Sequence, residues 1–283
     1  MHKQEFDPNI HAQEDGFVTP VTESWTLQKN HLTCNYIRTI LDSSRERYDD
    51  LIYIDLFAGS GFNQLNDQVI LGSPLVALSS PFPFTKYIFC EKNHEHAAAL
   101  KIRINKYFRN ENVVIFAEDA NNAVDKFRFY VPTQTPKRKV LAICLVDPFS
   151  FDLHFSSIQK MAELGITLLT VMAFPINSYF NHSYYLEQKR GDLEAFIGNG
   201  DTNQRSWEQI KGNEAFFKQV IKSYKGAIES LGYKTSGAFN KIESDLMQLP
   251  FYYFASFTQQ KSIKNIDQAV KKASAVQYQL FQN

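Results

Sequence analysis

Cysteine is scarce in this chain of 283 residues, and long apolar runs are absent. The three cysteines, Cys34, Cys90 and Cys144, are widely spaced and do not form the close pairs of a zinc site. Cys90 and Cys144 lie inside apolar runs, so we expect reduced, structural thiols. No stretch approaches the roughly 18 consecutive apolar residues of a membrane span. Because the first residues are polar, unlike a secretory signal, we expect a cytoplasmic protein without a membrane partner.

A net charge is also lacking, because 30 lysines and arginines balance 30 aspartates and glutamates. This balance gives no electrostatic reason to expect nonspecific binding of nucleic acid, although it does not exclude a local basic groove and hence a nucleic-acid partner. Seven histidines are present, but the closest pair in sequence, His94 and His96, would point to different faces of a helix. We therefore expect no metal site.

Short apolar runs alternate with helical patterns through the middle of the chain. Such runs are typical of strands buried on both faces, as in a parallel sheet covered by helices. Repeated strand–helix–strand order favours a doubly wound domain with right-handed crossovers. The predicted strands span 51–56, 87–90, 113–116, 140–146, 166–171, 233–242 and 251–257, and the helices between them include 94–109 and 157–164. The sequence thus predicts a Rossmann-like α/β fold with a mostly parallel, seven-stranded sheet and helices on both faces.

The flanking segments indicate how the chain is divided. Residues 1–48 are predicted to form an N-terminal arm or loop, followed by a helical cover that begins after Ser24. Residues 49–283 are predicted to form the main domain. Asparagine and glycine interrupt the part at about 176–212, which indicates an insertion or lid. An amphipathic helix is predicted at 217–231.

A turn with two glycines follows the first predicted strand, and acidic residues follow the next three. In open α/β sheets, ligands bind beyond the carboxyl ends of the strands. Glu91, after the second strand, can accept hydrogen bonds from a ribose diol, and Asp119, after the third, from an adenine amino group. Either could instead cap a helix or lie in an exposed loop. The candidate residues are Asp55, Phe57, Ala58, Gly59, Ser60 and Gly61 around the turn, with Glu91, Asp119 and Asp147 at the later strand ends.

A nicotinamide cofactor would need a third glycine and a helix that begins at the turn. Here Gln64 replaces that glycine, 62–68 is predicted to be a polar loop, and Glu91 lies 30 residues after Gly61. The next helix is predicted to begin only near Pro74. A pyrophosphate would find no helix N-terminus at the glycines, so a ligand without phosphate fits better. No Gly-Lys-Ser/Thr follows, which excludes a P-loop.

The order of these pieces resembles the three-Cys-motif partner protein family, TcmP. Phe57–Gly61 resembles the first motif of methyltransferases that act on amino groups. Residues 147–150, Asp-Pro-Phe-Ser, resemble the Asp/Asn-Pro-Pro-Tyr/Phe motif of enzymes that methylate exocyclic amino groups, but with one proline instead of two. The matching pieces are Trp25, Lys29 and Tyr36 in the first helix, then 53–59, 72–78, 91–93, Asp119, 147–149 and 252–256.

The resemblance implies a class I methyltransferase fold that binds S-adenosylmethionine, often encoded beside a three-cysteine-motif partner protein. By position, Asp55 and the glycine turn would line the methionine and ribose portions. Glu91 would hold the ribose hydroxyls and Asp119 the adenine. Asp147 and the carbonyl of Pro148 would accept the two N–H groups of an acceptor amine, and Phe149 would stack against it.

Three functions stay open from the sequence alone. The first is methylation of an amino group on a nucleobase or on a partner macromolecule. The second is a noncatalytic partner module that keeps the fold. The missing second proline after Asp147-Pro148 favours this reading, and Asp147-Pro148 could also be a turn that only ends a strand. The third is a nucleic-acid-processing protein that uses the fold without a methyl donor.

Overall fold

The computed structural model describes residues 11–23, 25–44, 47–81, 83–109, 111–173, 181–198, 207, 209–235, 240–241 and 252–259. The helix cap predicted at Ser24 lies outside these ranges, as do parts of the predicted insertion at 176–212 and of the two final strands. Among the described residues, no helix has the length and apolar content needed to cross a membrane.

Strands and helices alternate along most of the chain. The strands are β1 (His11–Ala12), β2 (Asp50–Asp55), β3 (Phe62–Leu65), β4 (Gln68–Leu71), β5 (Lys86–Cys90), β6 (Val113–Phe116), β7 (Val140–Val146), β8 (Thr167–Ala173), β9 (Lys234–Thr235), β10 (Asn240–Lys241) and β11 (Tyr252–Thr258). The helices are α1 (Trp25–Ser44), α2 (Ser73–Leu78), α3 (His94–Tyr107), α4 (Ala120–Ala123, continued by a 3₁₀ turn at Val124–Phe129), α5 (Phe155–Glu163), α6 (His182–Glu187), α7 (Arg190–Ile197) and α8 (Asn213–Ser230).

The main sheet has seven strand positions in the order β6-β5-β2-β7-β8-β11, with β9 and β10 both beside β11 at the far edge. The first five strands pair in parallel. β11 is antiparallel to β8, and β9 and β10 are antiparallel to β11. In chain order the positions read 3-2-1-4-5-7-6, which is the topology of the class I methyltransferase fold. The predicted fold class is confirmed.

Two helical layers cover the two faces of this sheet. Successive residues of a strand face opposite sides, so they pack against different layers. Leu51 and Tyr53 of β2 pack with α1, α2 and α3 on one face. Ile52 and Ile54 pack with α4, α5, α7 and α8 on the other. Asp55 continues the alternation of Leu51 and Tyr53, so its carboxylate lies on the face that α1 covers.

The prediction of a polar loop at 62–68 is wrong, because these residues form a β-hairpin. β3 and β4 pair antiparallel, with Leu65 opposite Gln68 and Phe62 opposite Leu71. Asn66 in the connecting turn has a φ of 52°, which asparagine tolerates better than most residues. The N-terminal arm also contains a strand, because β1 adds to β4, while Val21 bridges to Gln64.

Two helices of the predicted insertion pack against the main core. Leu193, Phe196 and Ile197 of α7 are buried in the cluster that contains α5 and α8. The helix predicted at 157–164 begins two residues earlier, as α5. The prediction that a helix begins near Pro74 is confirmed by α2, which has this proline in its first turn.

Candidate ligand site

The glycine turn begins where β2 ends, at the point where the order of the sheet reverses. β5 lies on one side of β2 and β7 on the other, so a crevice is expected beyond its carboxyl end. The N–H of Leu56 donates to the carbonyl of Leu145 at 3.2 Å, and the N–H of Ala58 donates to that of Cys90 at 2.9 Å. The start of the turn is therefore fixed to both neighbouring strands.

The two glycines of the turn serve different purposes. Gly59 and Gly61 have φ values of 63° and 87°, which few other residues adopt. A Cβ on Gly61 would lie 2.9 Å from Cδ1 of Leu100 and 3.2 Å from Cγ of Leu75. A Cβ on Gly59 would meet no atom within 4 Å. Packing thus requires glycine at 61, whereas Gly59 borders open space in which a ligand could lie.

Phe57, Ala58 and Ser60 mainly support the turn. Phe57 packs against the core cluster of the α5 face, and Ala58 is buried on the α1 face. The hydroxyl of Ser60 is buried and donates to the carbonyl of Phe62 at 2.9 Å. These three residues could therefore contact a ligand chiefly through their backbone groups.

Glu91 is brought to the glycine turn by the pairing of β5 with β2. Its Oε2 accepts from the N–H of Gly59 at 2.8 Å, and its Oε1 accepts from the N–H of Asn93 at 2.7 Å. Each carboxylate oxygen has two lone pairs, so Glu91 can still accept from a ligand hydroxyl. The side chain is half-buried and lies beside the open space at Gly59.

Asp119 caps a helix. Its Oδ1 accepts from the N–H of Asn121 at 2.8 Å and so begins α4. Among the described residues, no hydrogen bond reaches its Oδ2, and no ion pair includes Asp119. The capping role that the sequence left open is present, and one carboxylate oxygen still has acceptor capacity.

Asp55 is a fully buried carboxyl group with one unsatisfied oxygen. Its Oδ1 accepts from the N–H of Phe57 at 3.1 Å, but Oδ2 has no hydrogen-bond partner among the described residues. Burial raises the pKa of Asp55 to about 6, although the nearby Ser73 side chain and the N–H of Phe57 oppose this shift. An unpaired buried acceptor costs about 1–3 kcal/mol, so a ligand that donates here would be stabilised.

Asp147 forms an ion pair with Lys29 of α1. The Nζ of Lys29 donates to Oδ2 of Asp147, and the two side chains are only 11% and 13% exposed. Among the described residues, no hydrogen bond reaches Oδ1 of Asp147. The negative charge of Asp147 contributes to the raised pKa of Asp55, and the positive charge of Lys29 opposes it. Two carboxylates and one ammonium therefore share the space between α1 and the end of the sheet.

The two residues after Asp147 differ sharply in exposure. Pro148 is buried, whereas the side chain of Phe149 is 80% exposed. A large aromatic side chain in water is available to stack on a planar partner. Phe149 makes the end of β7 a candidate surface for a planar ligand.

Two residues with clear structural roles were not assigned by the sequence. Lys29 belongs to the residues that resemble the TcmP family, but no sequence pattern pairs it with Asp147. Arg103 is completely buried and donates to the carbonyl of Ser60 at 2.9 Å. The one available signal for Arg103 was its position next to Ile104 and three residues after Leu100, on the apolar face of a helix.

The site contains acceptors in excess over donors. Asp55, Asp147 and Glu91 meet around the glycine turn, which suits a ligand that carries positive charge and hydroxyl groups. Among the described residues, no group of three or more His, Cys, Asp and Glu side chains is placed to hold a metal ion.

Comparison with known proteins adds structural likeness only. No protein-family model and no curated protein matches the sequence. Trm1 from Pyrococcus horikoshii, solved with S-adenosyl-L-methionine, is 10% identical with a TM-score of 0.49, over 92% of this chain and 64% of that chain. Protein LPL1258 from Legionella pneumophila is 10% identical with a TM-score of 0.48, over 87% and 91%. The SAM-dependent O-methyltransferase TM0748 from Thermotoga maritima is 14% identical with a TM-score of 0.42, over 86% and 67%. The chain has a methyltransferase-like fold, which its own strand order establishes.

Proposed function

We propose that this protein binds S-adenosylmethionine at the glycine turn and transfers its methyl group to an amino group of a nucleobase or of a partner macromolecule. Two features at the end of β2 support the proposal most strongly: Gly59 borders open space, and the buried Oδ2 of Asp55 accepts no hydrogen bond from the described residues. When bound, S-adenosylmethionine supplies an electrophilic methyl group on a positively charged sulfur. The carboxylates of Asp55 and Asp147 favour such a charge.

Each candidate residue then has a distinct task. Glu91 accepts from the ribose hydroxyls while it still holds Gly59, and Oδ2 of Asp119 accepts from the adenine amino group. Asp55 and the glycine turn line the methionine and ribose portions. These tasks follow the order of the strand ends across the sheet, from β6 through β5 to β2.

Asp147, Pro148 and Phe149 serve the acceptor. Oδ1 of Asp147 and the carbonyl of Pro148 accept the two N–H groups, which leaves the nitrogen lone pair directed at the methyl group. Phe149 stacks on the planar acceptor. The protein contributes mainly position and exclusion of water. As the acceptor nitrogen bonds to the methyl carbon, the bond from that carbon to sulfur would break, the neutral thioether would leave, and Oδ1 of Asp147 would take the proton that the nitrogen releases.

A second candidate is a noncatalytic module that binds the ligand and works through a protein complex. The ion pair between Lys29 and Asp147 favours it, because this contact already occupies one oxygen of the acceptor carboxylate. The resemblance to TcmP proteins makes a three-cysteine-motif protein the expected partner for either candidate.

Transfer of a labelled methyl group separates the two candidates. We expect label from S-adenosylmethionine in bulk DNA, bulk RNA or a three-cysteine-motif protein. We expect roughly 100-fold less with Asp147→Ala, since a misplaced acceptor costs about that factor. Asp152→Ala, on the same loop, is the matched control and should retain the wild-type rate. Equal rates for Asp147→Ala and wild type would exclude the acceptor role, and the absence of any labelled acceptor would favour the noncatalytic module.

A further inference from the structure

Arg103 is a guanidinium that the protein has taken completely out of water. It lies on α3, and its side chain is 0% exposed. Burying a charge costs several kcal/mol unless it is paired and hydrogen-bonded. Arg103 meets this condition because its Cζ lies 4.2 Å from the centre of the Phe62 ring and its N–H groups all point to acceptors. Such complete satisfaction indicates a residue with one fixed position.

Most of these contacts hold the N-terminal arm. Nε and Nη2 donate to the two oxygens of Asp15 at 2.9 and 2.7 Å. Further donations reach the carbonyl of Val18 at 3.0 Å and the hydroxyl of Thr19 at 3.1 Å. Hydrogen bonding to Arg103 lowers the pKa of Asp15 below its ordinary value, so the pair stays charged at neutral pH. The arm is thus anchored at one buried point, 88 residues from Asp15 along the chain.

The other contacts hold the glycine turn. Nη1 of Arg103 donates to the carbonyl of Ser60 at 2.9 Å and to its hydroxyl oxygen at 3.1 Å. Because a peptide bond is planar and trans, a carbonyl of Ser60 turned toward Arg103 directs the N–H of Gly61 to the opposite side. The carbonyl of Gly61 is itself fixed by the N–H of Gly72 at 2.7 Å. Arg103 therefore sets the orientation of the peptide between the two residues.

Two consecutive N–H groups are left for a ligand. Among the described residues, no hydrogen bond is made by the N–H of Ser60 or of Gly61. Consecutive free N–H groups in a turn form a concavity that binds anions. The charge of Arg103 is already neutralised by Asp15, so its effect on such an anion is geometric.

We propose that Arg103 is a positioning residue of the donor site, and that it joins the arm to the glycine turn so that Ser60 and Gly61 present their N–H groups to a ligand carboxylate. This inference rests on the proposed function, in which that carboxylate belongs to the amino-acid end of the methyl donor. The arm is accordingly a part of the ligand site. The adenosine end, held by Glu91 and Asp119, does not depend on Arg103.

Two ligands that differ only at the amino-acid end test this assignment. S-adenosylhomocysteine carries the carboxylate, whereas 5′-methylthioadenosine lacks it. For Arg103→Met we expect the affinity for S-adenosylhomocysteine to fall about tenfold or more, the usual effect of weakening a charge-assisted hydrogen bond. The affinity for 5′-methylthioadenosine should change by less than about twofold. Arg109→Met, an exposed arginine just beyond α3, is the matched control and should alter neither affinity.

The experiment distinguishes this inference from the proposed function. Wild-type protein that binds neither ligand would overturn both. Wild-type binding with equal losses of the two ligands in Arg103→Met, or with no loss, would overturn the positioning role alone. Hydrogen exchange gives a readout without ligand, because the amides at 57–62 should exchange faster in the variant while those of β7 do not. If Arg103→Met does not fold, Arg103→Lys keeps the charge paired with Asp15 but loses the planar fork that holds the Ser60 carbonyl, and the same selective loss is expected.

Discussion

Asp55 is the residue at which folding and the proposed ligand binding oppose each other. Its alternation with Leu51 and Tyr53 places a carboxyl group where an apolar side chain would pack. Within the described part of the chain, Oδ2 accepts no hydrogen bond that would stabilise its charge. A residue that weakens the free protein in this way is typical of a functional site, because the ligand supplies the missing interaction.

The stability of the protein should depend on pH through Asp55. The pKa of Asp55 in the folded protein, about 6, is above the ordinary value of 3.8. The stability that the protein has with Asp55 protonated is therefore fully present below pH 3.8 and is lost as the pH rises through 6. We expect Asp55→Asn to gain up to about 3 kcal/mol of unfolding free energy relative to wild type between pH 4 and pH 8. Urea unfolding at both values measures this difference. Asp67→Asn, exposed in the hairpin turn, is the control, and a difference for Asp55→Asn that does not change with pH would contradict the account.

At the scale of elements, the strands were predictable and the hairpin was not. β2, β5, β6, β7 and β8 are continuous apolar runs because both of their faces are buried, and such runs stand out in a sequence. The hairpin of β3 and β4 lies outside the main sheet. In β3 the two polar residues Asn63 and Gln64 are adjacent, so apolar and polar residues do not alternate as in a typical half-buried strand. Its two-residue turn, Asn66-Asp67, is a weaker signal than Asn-Gly.

The site was predictable where it depends on the register of the strands. Carboxyl ends of parallel strands meet at one edge, so acidic residues that follow them collect there. The contacts of Lys29 with Asp147 and of Arg103 with Asp15 join residues 118 and 88 positions apart. Such pairings are set by packing of helices on the sheet, and no local pattern encodes them.

The turn between β2 and β3 depends on a close fit with α2 and α3. We expect Gly61→Ala to destabilise the protein by about 1–3 kcal/mol, because its Cβ would overlap Leu100 and its φ is positive. Ligand affinity should fall as well. Gly226→Ala in α8 is the control, since a Cβ there meets no atom within 4 Å and alanine favours helix. Thermal unfolding compares the two, and a Gly61→Ala protein as stable as wild type would refute this view of the turn.

At the scale of the whole molecule, the N-terminal segment and the sheet build one site together. α1 packs into the same cluster as β2 and β7, and it brings Lys29 to the end of the sheet. The arm before α1 adds β1 to the hairpin and is anchored on Arg103. The segment predicted at 1–48 as a cover therefore contacts Asp147 directly through Lys29, and it is joined to the glycine turn through Arg103.

Calorimetry tests most directly whether the carboxyl edge of this sheet binds S-adenosylmethionine, as proposed. We predict micromolar binding of S-adenosylmethionine and S-adenosylhomocysteine to the wild-type protein. Glu91→Ala should weaken both by about tenfold or more, because it removes the acceptor for the ribose hydroxyls. Glu95→Ala, an exposed acidic residue in the first turn of α3, should bind like wild type. No binding to the wild type, or equal binding by wild type and Glu91→Ala, would contradict the account.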